Sequence, residues 1–118
     1  MEICNLNYLK SVSPNNPKFI TDMIQLFLKN APPALAAINR SLTIKDWGTI
    51  QFHAHKLRSH IDCIGISKEY TDMARQIEEY AKQQENINSI TGLLQKLENV
   101  FEQAYIELRE ELNNISYS

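Results

Sequence analysis

The chain has 118 residues, with 12 Lys and Arg against 14 Asp and Glu, a formal charge of -2 and 43% hydrophobic residues. Only three Gly and four Pro punctuate it, too few for the many turns of an all-β sandwich, so a small number of long elements is expected. There is no basic excess to mark a nucleic-acid binder and no run of 18 apolar residues to span a bilayer, so neither nucleic acid nor membrane is an expected partner.

Met1-Glu2-Ile3-Cys4 lacks the basic and apolar regions of a secretory signal, so Cys4 and Cys63 read as free thiols and the chain as cytoplasmic. Leu6 and Leu9 sit at helical spacing before Ser13-Pro14-Asn15-Asn16-Pro17, which fits a short first helix or an extended lead-in. Asn16 before Pro17 is a start signal, because Asn caps and Pro is tolerated at the first helical position. Phe19, Ile20, Met23, Ile24, Phe27 and Leu28 then recur at steps of three and four, and Leu35, Ile38 and Leu42 continue that register past Pro32 and Pro33. This predicts one long helix, kinked or briefly broken near 30–33, because proline removes a backbone donor and crowds the turn before it.

Asp46-Trp47 opens the next helix with an acidic residue at its N-terminus. Ile50, Ala54, Leu57, Ile61 and Ile64 follow at strict 4-3-4-3 spacing, and Gly65 ends the helix. Ser67 is placed to cap a helix carrying Tyr70, Met73, Ala74, Ile77 and Ala81 inward. Residues 83–88 make a turn, and Ile90, Leu94, Leu97, Phe101, Ala104, Leu108 and Leu112 stripe the last helix. The pattern predicts an all-α fold, an antiparallel four-helix bundle with a short extra N-terminal helix, as one domain over 1–118. Four helices close their own core, so a monomer is expected. Met1 and the polar ending 113–118 fit a small independent protein and a piece of a longer one equally.

All three His lie between 53 and 60. With Ile50 at zero and about 100° per residue, the apolar stripe stays within roughly 40° of the core direction. His55 falls at about 140°, Ser59 at about 180°, Asp62 at about 120°, Gln51 at about 100° and Arg58 at about 80°. His53 and His60 fall at about -60° and about -80°, bordering the core on the opposite flank, where hydrogen bonds to neighbouring helices would hold them. A helical metal pair needs two ligands on one face, whereas His53 and His55 diverge by roughly 160° and His53 and His60 are two turns apart, so no metal is expected. His55 points outward with Lys56 and Arg58 to attract an anion, and with the small Ser59 leaving room beside it. Phe52, at about 200° on the same wheel, either forms part of a docking patch or packs on the first segment.

Ala54-His55-Lys56-Leu57-Arg58-Ser59 with Ile64-Gly65 resembles the histidine-containing phosphotransfer (HPt) signature, His-x-[Leu/Ile]-Lys-Gly-Ser followed by an apolar-Gly pair. Leu6-Asn7-Tyr8-Leu9, Pro17-Lys18-Phe19-Ile20, Leu26-Phe27-Leu28, Asp46-Trp47, Met73-Ala74 and Ile77-Glu78 are similar to the rest of the family's pattern, so the likeness covers almost the whole chain. It departs at Ser59, where the family has Gly, and at Arg58, where the family has Lys.

The resemblance implies a carrier in a two-component phosphorelay. His55 would accept a phosphoryl group from a receiver-domain aspartate through Nε2 and pass it to another receiver. Arg58 and Lys56 would stabilise the phosphoryl oxygens. Ser59, Gln51, Phe52 and Asp62 would serve docking, together with Gln76 or Glu78 from the next helix, between which the loop after Gly65 leaves the choice open. No cofactor is implied, since the Mg²⁺ of the reaction belongs to the receiver. No nucleotide-binding loop or kinase signature is present, so autokinase activity is not expected. The alternative reading is a phosphate-inactive helical adaptor that binds receivers or other signalling proteins.

Overall fold

A computed structural model describes residues 3–116. Met1 and Glu2, read above for a secretory signal, and Tyr117 and Ser118 of the polar ending lie outside the described residues. Five helices follow in order: α1 (Asn7–Val12), α2 (Pro17–Ile44), α3 (Trp47–Cys63), α4 (Lys68–Gln83) and α5 (Ile87–Ser116). The first segment is thus a short helix rather than an extended lead-in. α2 packs on α3, α3 on α4, α4 on α5 and α5 back on α2, a closed ring of four helices. α5, at about 1.5 Å per residue, spans most of the 48 Å long axis. α2 and α5 run well past the ends of the shorter α3 and α4. α1 fills the space left there by burying Leu9.

Local chemistry sets each boundary. The Asn16 side chain accepts from the Phe19 N–H at 3.1 Å, and Asp46 accepts from the Thr49 N–H at 3.2 Å and from its hydroxyl at 2.7 Å; each satisfies donors that a helix start leaves free. Ser67 occupies the N-cap of α4, but its side chain makes no capping hydrogen bond. At the end of α3, Gly65 adopts φ +71°. Its N–H donates to the Asp62 carbonyl and that of Ile66 to the Ile61 carbonyl, each at 3.2 Å, the paired bonds of a left-handed helix terminus.

The double proline does not break α2, which is helical throughout. Pro32 and Pro33 are both exposed, while Ala31, Ala34 and Leu35 around them are buried. The missing N–H groups leave the Leu28 and Lys29 carbonyls without their intrahelical partners, at residues that are half-buried and exposed respectively. The packed apolar face keeps the helix running.

Ile50, Ala54, Leu57, Ile61 and Ile64 are all fully buried. Phe27, Phe101 and Tyr105 meet as tilted and edge-on rings with centroids 5.3–6.2 Å apart at the α2–α5 seam. The N-terminal segment is tied down by Glu107, whose carboxylate accepts from the Ile3 N–H at 2.8 and 2.9 Å and from the Cys4 N–H at 3.0 Å. The Asn5 N–H reaches the Ile64 carbonyl at 3.0 Å, fastening α5 to the end of α3 through the first few residues. Among the described residues no helix is long and apolar enough to cross a membrane.

Candidate functional site

The capped start of α3 fixes its rotation, and the buried stripe seats it on α2 and α4. His55 is thereby held outward, its side chain 65% exposed. Its ring is held from α4. His55 Nδ1 lies 2.8 Å from Glu78 Oε2, and Arg58 Nη1 donates to Glu78 Oε1 at 2.9 Å. One carboxylate therefore bridges both α3 side chains, on the seam between the two helices. Burial alone would raise the Glu78 pKa, but the hydrogen bonds and charges of Arg58 and His55 outweigh it and hold the group below its usual value. An ionised carboxylate only accepts, so Nδ1 carries the ring proton and the Nε2 lone pair is left free.

Around His55, Gly48, Gln51, Phe52, Lys56 and Glu78 line a shallow hollow of about 460 Å³. Phe52 is 57% exposed; it packs edge-on against His53 at 5.1 Å and carries the Lys56 ammonium 5.1 Å above its centroid. Ser59 is exposed and donates to the Lys56 carbonyl at 3.1 Å within its own helix. Asp62 lies outside the hollow and accepts from the buried Thr71 hydroxyl at 2.6 Å, a tie between α3 and α4. Gln76 lines a separate depression with Arg75 and Glu79. Of the two α4 residues left open by the sequence, Glu78 is the one that meets His55.

His53 and His60 are half-buried on the other flank. Burial, then the nearby Lys56 and Arg40 charges, pushes His53 below the ordinary histidine value; burial and Lys56 do the same to His60. Contrary to expectation, neither ring has a hydrogen bond to a neighbouring helix among the described residues. Nor do three His, Cys, Asp or Glu converge there as a metal would need.

Two contributors escaped the sequence reading. Gly48 stands seven residues before His55, about 20° from it on the wheel, and that spacing could have found it. Thr71 is a buried hydroxyl on an otherwise apolar face, and nothing in the residue string pairs it with Asp62.

A helical bundle that offers an oriented imidazole above a shallow hollow on an open seam has the layout of a carrier module that works on a docked partner. The family model for the Hpt domain matches residues 22–116, and the chain belongs to that family. The match takes in α3, α4 and α5 and most of α2, and leaves α1 outside. Hpt domains are helical bundles of phosphorelays that interact with receiver domains and carry phosphoryl groups. Searches of curated proteins and of solved structures found no match.

Proposed function

We propose that this domain is a phosphorelay carrier with His55 as the phosphoacceptor, exchanging a phosphoryl group with receiver-domain aspartates. The observation that carries the reading is the Glu78 bridge, which fixes the ring and leaves Nε2 facing solvent. The Nε2 lone pair attacks phosphorus of the receiver's aspartyl phosphate. The new N–P bond forms as the P–O bond to the aspartate breaks, and the electron pair of that bond leaves with the receiver's carboxylate. The Nδ1 proton stays between ring and Glu78, so the positive charge that develops on the imidazole faces a carboxylate. Return of the phosphoryl group to another receiver reverses these bonds.

Lys56 is the exposed cation closest in sequence to His55 and, above the Phe52 ring, stands at the rim of the hollow; it is proposed to screen the phosphoryl oxygens. Arg58 holds the second oxygen of Glu78, so in this resting state its first role is to lock the bridge; its fork of donors also suits phosphate. Exposed Phe52 and bare Gly48 form the apolar side of a docking patch, Gln51 adds a polar group to it, and Ser59 keeps bulk away from the ring. No cofactor of the domain's own enters, since the Mg²⁺ belongs to the receiver. The setting proposed is the cytoplasm, and the acting unit a monomer.

The test is transfer. Mixed with a phosphorylated receiver, the domain should gain acid-labile, alkali-stable label, and His55→Gln should abolish it. Label persisting on His55→Gln overturns the assignment. Receiver binding without label in the unaltered protein favours the adaptor reading.

A further inference from the structure

On the opposite side of the helix ring from His55, α2 and α5 enclose a groove of about 250 Å³. Its apolar part is built from Pro32, Leu35 and Ala36, and its polar part from Asn39, Glu98 and Glu102. Tyr105 lines the same groove and is 93% buried, from a relative exposure of 7%. Its hydroxyl is buried and has no hydrogen-bond partner among the described residues. Such a group normally destabilises a fold, and a phenol at a protein interior is usually paired. Glu98 and Glu102 line the groove with Tyr105; burial, then the Glu102 charge, opposed by Arg109 and joined by Glu98, pushes its pKa up to about 12. Arg109 lies toward the ring, 5.9 Å from its centroid, one turn beyond Tyr105 along α5.

We propose that this groove seats a lysine side chain from an exposed segment of a partner protein. The volume suits one long side chain, below the range of drug-sized pockets, which begins near about 300 Å³. A four-carbon stem lies along Pro32, Leu35 and Ala36, as lysine stems do on apolar surface. The ammonium donates to Glu98 and Glu102 and, as the side chains over the phenol part around it, to the Tyr105 oxygen, which is covered in this structure. Asn39 on the rim is suited to pair with the peptide group that carries the side chain. The face is distinct from the His55 seam, so a tethering partner and a receiver can be bound together. The proposal does not depend on the phosphotransfer reading.

The test is an NMR titration of the whole domain with Nα-acetyl-lysine methylamide, its norleucine counterpart and 1,4-diaminobutane. Saturable shifts are expected for the lysine compound at the amides of Leu35, Ala36, Glu98 and Glu102. Affinity should fall about tenfold in Glu98→Gln/Glu102→Gln and about threefold in Tyr105→Phe. Tyr105→Phe removes an unpaired hydroxyl, so it should fold at least as well as the parent. The norleucine compound should not saturate, and the diamine, lacking the peptide group, should bind more weakly. Absence of saturable shifts, equal response to norleucine, unchanged affinity in Tyr105→Phe, or a diamine that binds at least as tightly each overturns the proposal.

Discussion

Glu78 Oε2 stands 2.8 Å from His55 Nδ1 although 23 residues separate them in the chain. The contact fixes which ring nitrogen holds the proton, and so which one keeps its lone pair for the proposed transfer. In Glu78→Ala the imidazole loses that bias. Long-range ¹H–¹⁵N spectra should show the Nδ1–H tautomer dominant in the parent and mixed tautomers in the variant. Phosphoryl acceptance from a receiver should slow about 10- to 100-fold, the range expected for a lost hydrogen bond to a charged group. Glu78→Gln, which keeps an acceptor but not the charge, should fall between the two.

Arg58→Ala should act partly through Glu78. With one anchor gone, the carboxylate keeps only its bond to His55, and its pKa should rise toward the ordinary value, read by ¹³C titration of the Glu78 carboxylate. Lys56→Ala should leave that titration unchanged while still slowing transfer. Equal titration shifts in both variants would contradict the separate roles given to the two cations.

Stability should fall with acid through two routes. The depressed Glu78 pKa means that the folded state binds the proton less readily than the unfolded chain. Its contribution is therefore present above the unfolded value of 4.5 and is lost as pH falls through the lower folded value. His53 and His60 also have folded values below 6.5, so the unfolded chain takes up their protons first and stability declines as pH drops below about 6.5. Urea midpoints should thus fall between pH 7 and pH 5. In His53→Gln/His60→Gln that slope should flatten, while transfer is retained.

Gly65 meets two demands at once. Its φ of +71° suits glycine, and an added Cβ would collide with the Asn5 backbone carbonyl, which cannot swing aside as a side chain could. Gly65→Ala should cost more than about 1 kcal/mol in urea unfolding. It should also speed amide exchange at Asn5, whose N–H is bonded to the Ile64 carbonyl.

Glu107 should be a measurable clamp. Glu107→Ala removes the acceptor of the Ile3 and Cys4 N–H groups and should cost about 1–3 kcal/mol. Burial, followed by the Glu107 charge, pushes the Cys4 thiol up to about 12. The parent should therefore label slowly with a thiol reagent near pH 8, and the variant faster at Cys4, with Cys63 little changed.

Much of this architecture is legible in the residue string because the strongest signal, the apolar stripe, is also what the core uses. The five residues from Ile50 to Ile64 are the clearest case, and the same wheel turns His55 outward. Pro32 and Pro33 misled because a local rule was applied where long-range packing decides: both rings face solvent and the helix is held from its other side. Gln76 and Glu78 both stay open as long as only α3 is set on a wheel. Glu78 lies about 40° from buried Ala74 and Gln76 about 160° away, so α4's own periodicity turns Glu78 toward the seam. What no periodicity carries is that the carboxylate divides its oxygens between His55 and Arg58. That depends on the crossing of two helices.

Those two helices, α3 and α4, form the most extensively packed pair in the molecule, and only residues 64–67 join them. The geometry around the imidazole is therefore of low contact order: closing a four-residue loop costs little chain entropy, and neighbours in sequence supply most of the contacts. The corner around His55 is free to assemble early in folding, as a hairpin of helices, and needs little from the slower docking of the two long outer helices to hold its shape.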